Sequence, residues 1–473
     1  MATSTTSATS SSGGVLQSLG VGSGIDVNSL VTQLVAAEMQ PDTARITRAT
    51  TQTATQLTAV GQLKGALATF QSALSSINTQ SDFQVKSATS ADEKIFTVSA
   101  DASAAPGSYQ VEVNDLAQAQ QLRSSAAVGD GTGELGSGNL TFTLGSKSFS
   151  IKVADATSSL NAIRDAINSA TDNPGISASV VHGTDNSQLV LTSNLTGAAN
   201  AITVVTDSND TGLKALVYDA SHLANYTQLQ EPKDASITVA GVTVTSATNA
   251  ITKVIDGVTI NVLAKTSGTP VKVTVANDTS TVLNRVQTFV NSYNTLQGVV
   301  AKLGSYDAAS QTAGPLLGDA LLTGISSQVR RALSNPVASV KGSVNTLAAL
   351  GITTNKDGTL TLDVSKFNKA LSANFNTVSS IFGNADGVAT VLSKFVDGQL
   401  ANGSNIDSRN KTLASRQKQI SSDQAVLVAR QQKIKDRYTA QFTAMDQALA
   451  KMQSTSTYLT QQLTALSKSL SGN

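Results

Sequence analysis

The sequence predicts a multidomain α+β protein. Helical ends of coiled-coil or bundle character enclose antiparallel β-rich domains, and the innermost β-rich domain is inserted in the other. Three features predict it. Apolar residues recur at steps of three and four near both ends, the period drops to two across the middle, and one central stretch carries strands around a short helix of its own.

Composition narrows the possibilities. The 473 residues suffice for several domains. Only 14% are charged and 4% aromatic, Trp is absent, and the net charge is +1. No basic run is present, which argues against a nucleic-acid partner. Without Cys there is no disulfide frame, thiolate zinc site or cysteine nucleophile. No apolar run reaches the length of a membrane span, so no membrane insertion is expected. Residues 1–14 are Ser/Thr-rich, read as disordered, and lack the basic and apolar regions of a secretory signal peptide. If the chain leaves the cytoplasm, its route leaves the N-terminus uncut.

A first helix is expected over Val27–Met39, closed by Pro41, and a second over about 43–79. The second carries Leu57, Val60, Leu63, Leu67, Phe70, Leu74 and Ile77 on one stripe; its threonine-rich first half (Thr50, Thr51, Thr53, Thr55) is weak alone and needs a partner. From about Ser81, Phe96/Val98 and Tyr109/Val111/Val113 alternate as half-buried strands do. Leu140–Leu144 and Phe149–Val153 flank a Gly-Ser-Lys turn as a hairpin. A helix follows over Ser158–Ala170, then strands to Val205. Strands between 233 and 277 are expected to pair with those of 90–115, making 123–232 an insertion. Helical period returns at Val282–Leu303 and Leu316–Leu333, a hairpin surrounds Asn355–Gly358, and a long helix begins near Asp407.

That last helix carries the most regular pattern in the chain. Leu413, Ile420, Leu427 and Ile434 stand seven apart. Two steps of four then shift the frame through Tyr438 to Phe442, a stutter of the kind that unwinds a coiled coil or marks a boundary. From Tyr438 the steps run 4-3-4-3 through Phe442, Met445, Leu449, Met452, Ser456, Leu459, Leu463, Leu466 and Leu470. Such a narrow stripe needs a facing helix. The Val282–Leu303 and Leu57–Ile77 stripes are expected to pack on each other. The closing stripe has only 27–39 as an internal mate, so internal packing and a seam completed by other subunits both stand open.

Chemistry is sparse. His182 and His222 read as surface residues. Gly20-Val21-Gly22-Ser23-Gly24 follows no strand and precedes no Lys-Ser/Thr pair. Asp207–Gly212 has a calcium-loop look, but Tyr218 stands where the acidic twelfth ligand belongs. No Gly-x-Ser-x-Gly elbow occurs. No catalytic set, metal or cofactor is expected.

Gly22-Ser23-Gly24-Ile25-Asp26-Val27-Asn28-Ser29-Leu30-Val31 resembles the N-terminal signature of the bacterial flagellar filament cap family, flagellar hook-associated protein 2. Similar in the same order are Pro106-Gly107-Ser108-Tyr109-Gln110-Val111-Glu112-Val113, Ile255-Asp256-Gly257-Val258-Thr259, Phe289-Val290-Asn291-Ser292-Tyr293-Asn294, Gly314-Pro315-Leu316-Leu317-Gly318-Asp319 and Met452-Gln453-Ser454-Thr455-Ser456. The 123–232 unit is similar to a module of flagellin outer domains, and the Ser/Thr tail before Gly22 departs from the family pattern.

The resemblance implies a ring of identical subunits at the extracellular tip of the flagellum that promotes folding and insertion of flagellin and prevents its loss. It implies type III export without cleavage, with flagellin, hook–filament junction proteins and an export chaperone as partners. On that reading 1–42 is an N-terminal leg and 431–473 a C-terminal leg. Residues 43–80 with 279–430 form the helical body, 81–122 with 233–278 a β-rich domain, and 123–232 the inserted α+β domain. Leu30, Leu34, Tyr438, Met445, Met452, Leu459 and Leu466 are the expected apolar assembly contacts. Another axial flagellar component is one alternative, which a helix broken at Pro41 would disfavour; a surface adhesin binding mucin or host cells through its β domains is a second.

Overall fold

The structure, a computed structural model, describes residues 26–126, 131–184 and 186–470. The tail read as disordered lies outside them. The chain divides into two compact units, one of residues 1–79 with 285–473 and one of residues 80–284. Helices in chain order are α1 (Val27–Leu74), α2 (Leu160–Ser169), α3 (Thr279–Gly304), α4 (Ala320–Ser334), α5 (Val364–Ala373), α6 (Phe375–Gly383), α7 (Val388–Leu400) and α8 (Asn405–Leu470).

In the first unit, α1 is one continuous helix of 48 residues, against the expected break at Pro41. Pro41 removes one backbone donor, and the carbonyl it would have met belongs to Ala37. Both residues face solvent, where water satisfies that carbonyl. The cost of about 3 kcal/mol is outweighed by burial on both sides, of Val31, Val35 and Met39 before the proline and Ile46 after it. The threonine-rich stretch behaves as its weakness suggests. Thr50 and Thr55 donate to the carbonyls of Ile46 and Thr51 at 2.9 and 2.8 Å, and Thr53 is buried. Beyond it, Phe70 lies 5.8 Å from Phe289 and 6.1 Å from Tyr293 of α3, so those two stripes do pack on each other. Phe382 of α6 closes the cluster edge-on to Phe289 at 6.0 Å. Asp319 caps α4 through Leu321 N at 2.9 Å, and its other oxygen accepts from Arg409 of α8 at 3.2 Å.

The second unit contains two β cores. In the outer one, a five-stranded antiparallel sheet runs in the order 86–90, 271–277, 107–115, 235–239, 242–246. A three-stranded sheet of 250–255, 258–262 and 96–100 shares its core, with Phe96, Val111, Ile237, Ile260 and Val273 buried between them. Strand 107–115 pairs directly with 235–239, Val113 opposite Ile237 and Val111 opposite Val239. Everything between those strands is therefore an insertion that leaves and returns at one place. The inserted core holds a four-stranded and a three-stranded sheet with α2 around Phe142, Phe149, Leu160, Ile163 and Leu191. Phe142 and Phe149 stack at 5.2 Å across the expected hairpin. Strands 86–90, 119–124, 226–230 and 250–255 escaped the sequence reading. They are short, polar or bulged, as with the left-handed Lys253 (φ 66°) inside 250–255.

Candidate assembly surface

α1 and α8 run antiparallel as a two-helix stem. The α1 stripe Val27, Val31, Val35 and Met39 steps by four, and it packs with Leu427, Ile434, Tyr438 and Phe442 of α8. The stutter in α8 thus lies where its partner also steps by four. Each such step turns an apolar row about 40° around a helix of 3.6 residues per turn, so the two rows stay in contact only if both drift together.

Polar contacts fix the register. Arg430 reaches Asp42 at 3.1 Å and Arg437 reaches Glu38 at 3.4 Å. The Tyr438 hydroxyl donates to Glu38 Oε2 at 2.9 Å, and the Arg437 guanidinium lies 4.9 Å from the centre of the Tyr438 ring. This register places the start of α1 opposite Met445. At the stem's other end, Asp407 accepts from Lys411 at 2.8 Å and from the Gly403 amide, and its carboxyl is held below the usual carboxylate range, chiefly by Lys411.

Past that point α8 continues with no facing helix among the described residues. Residues 446–470 extend it by about 37 Å, and every side chain from Lys451 to Lys468 is exposed. Along the 4-3 row, Met452 is 67% exposed, Leu459 55%, Leu463 65% and Leu466 58%. Covering four such side chains would contribute roughly 6–12 kcal/mol, from about 1.5–3 kcal/mol each. A lone helix with this stripe is marginal in water.

The seven expected contacts fall into three groups. Met445, Met452, Leu459 and Leu466 share the bare row. Tyr438 is half-buried in the stem and engaged with Glu38. Leu30 and Leu34 stand one turn apart on α1, partly exposed and off the face that meets α8. The sequence reading missed Glu38 and Asp42 as register-setting acids. A signal existed in Arg409, Arg416, Arg430 and Arg437, whose spacing is a multiple of seven.

Elsewhere the titratable groups serve local structure. The Nδ1 of His182 lies 2.7 Å from Ser187 Oγ, and that of His222 2.7 Å from Asp219 Oδ1. Asp207 accepts from the amide and side chain of Asn139, so the expected polar turn is a strand-end clasp. No group of three His, Cys, Asp or Glu among the described residues could hold a metal ion, and no described helix is long and apolar enough to cross a membrane.

Comparison with known proteins matches the same regions. Residues 23–120 match the family model of the flagellar hook-associated protein 2 N-terminus, 232–454 that of its C-terminus, and 139–195 the flagellin hook IN motif. The B-type flagellar hook-associated protein 2 of Pseudomonas aeruginosa is 34% identical over 92% of this chain and 95% of its own length. Flagellar hook-associated protein 2 of Escherichia coli is 32% identical over 94% and 98%. The crystal structure of the flagellar cap protein FliD from Escherichia coli aligns with TM-score 0.66 and 33% identity, covering 75% of this chain and 99% of that one.

Proposed function

The chain belongs to the flagellar hook-associated protein 2 family, and from that premise we infer that it caps the distal end of the bacterial flagellar filament. Copies of the chain assemble into a ring over flagellin and promote insertion of new flagellin subunits. The role is structural and involves no catalysis. The protein works outside the cell at the flagellar tip, reaches it by type III export with a chaperone, and first meets the hook–filament junction proteins.

The observation that carries the assembly reading is the bare apolar row from Met445 to Leu466. An apolar stripe of 3.5-residue period is covered in a working assembly, because water leaves it unsatisfied. Leu30 and Leu34 add a second apolar spot on the stem. The five ranges set out from the sequence (legs at 1–42 and 431–473, body, β-rich and inserted domains) are proposed as the functional division. The continuity of α1 through Pro41 removes one argument against another axial component; family membership over nearly the whole chain favours the cap instead.

Negative-stain imaging of the purified full chain tests this. Rings are expected, and a chain lacking residues 446–473 should give none. Rings of undiminished yield from the shortened chain would sink the assembly role of the row.

A further inference from the structure

The net charge of +1 conceals a division between the units. Residues 1–79 with 285–473 carry 22 Lys and Arg against 13 Asp and Glu; residues 80–284 carry 11 against 19. One unit therefore has an excess of nine positive charges and the other of eight negative ones. The positive excess is densest on α8, where residues 409–437 hold eight basic side chains and two acidic ones. Arg416, Lys418, Lys433 and Lys435 are exposed, and none of them makes an ion pair among the described residues.

The negative excess has a focus as well. In the inserted core, Asp210 accepts from the Ser137 amide at 2.7 Å and Asp207 from the Asn139 amide at 2.7 Å. The amide of Leu135 donates to Ser158, whose hydroxyl donates to the carbonyl of Asp155. These bonds gather Glu134, Asp155, Asp207 and Asp210 at one end of the core. All four are exposed, and none is in an ion pair among the described residues.

We propose that the basic side of the α8 stem in one copy docks on this acidic end of the inserted core in a second copy. The contact is heterologous: each chain offers one basic and one acidic face, so successive copies join in a single direction, as a ring requires. Charge complementarity of this kind sets orientation and association rate, and it weakens as salt rises because the screening length shrinks to about 8 Å at physiological ionic strength. The proposal rests on the cap reading in requiring several copies to associate. It adds a contact separate from the apolar row.

The test is sedimentation velocity of the full chain at low and high salt, with three variants. One carries Arg416→Glu, Lys418→Glu, Lys433→Glu and Lys435→Glu; the second carries Glu134→Lys and Asp155→Lys; the third combines both sets. Asp207 and Asp210 are left alone because they clasp backbone amides. Each single set should weaken association about tenfold or more, roughly 1.4 kcal/mol, and flatten its salt dependence. The combined variant, and an equimolar mixture of the two single sets, should restore it. Replacing the four cations by Gln should act in the same direction with a smaller effect, which separates lost contact from misfolding. Association that ignores every set, or a mixture that fails to recover, overturns the contact while leaving the ring reading intact. A wild-type chain that stays monomeric at all salts overturns both.

Discussion

The Tyr438 hydroxyl donates to Glu38 Oε2 at 2.9 Å, 400 residues away in sequence, and this bond closes the stem just before α8 runs on alone. Arg437 shares the same carboxylate and lies over the Tyr438 ring. Tyr438→Phe keeps the ring and removes the donor. It should cost about 1 kcal/mol, read as faster amide hydrogen exchange in residues 27–40 with the β cores unchanged.

Pro41 sits inside α1 with its face to solvent. Pro41→Ala restores the missing donor to the Ala37 carbonyl and should stabilise the helical unit by about 1–3 kcal/mol, less than the full helix-interior penalty because proline also restricts the unfolded chain. Thermal melting followed by circular dichroism checks the direction. A lower melting temperature would show that the proline shape is required by the packing.

Phe289 touches Phe70 and Phe382 and is fully buried. Phe289→Ala should destabilise the helical unit by about 3–5 kcal/mol. The same change should leave proteolytic resistance of residues 80–278 unaltered.

In the outer β core, Asp115 accepts from Lys265 and from Lys233, the latter at 3.0 Å, and these ammonium groups hold its carboxyl below the usual range. A lowered folded pKa contributes stability that is present above the unfolded value and lost as pH falls through the folded one. Asp115→Asn should therefore lower the melting temperature at pH 7. The two proteins should converge once pH falls well below the ordinary Asp value of about 3.9.

Much of this architecture was legible as period. The alternation at Val111 and Val113 announced a central strand, and the pairing of Val113 with Ile237 made 123–232 an insertion. The row from Met445 to Leu466 was legible too, because an uninterrupted 4-3 pattern survives without any tertiary context. Pro41 misled because local propensity was overridden by burial on both sides of it. Strand 226–230 was missed because only Tyr226 of its five residues is buried. The clasp of Glu38 by Arg437 and Tyr438 left no local trace, since it depends on a register that two helices set together.

The central claim, that the bare row on α8 is an assembly surface, is tested most directly by Leu459→Lys with Leu466→Lys in a strain lacking its own cap protein. Both side chains are more than half exposed, so the isolated chain should fold with stability within about 0.5 kcal/mol of wild type. Filaments should then fail to grow and the cells should not swim. Normal swimming by cells carrying this folded double variant would contradict the account.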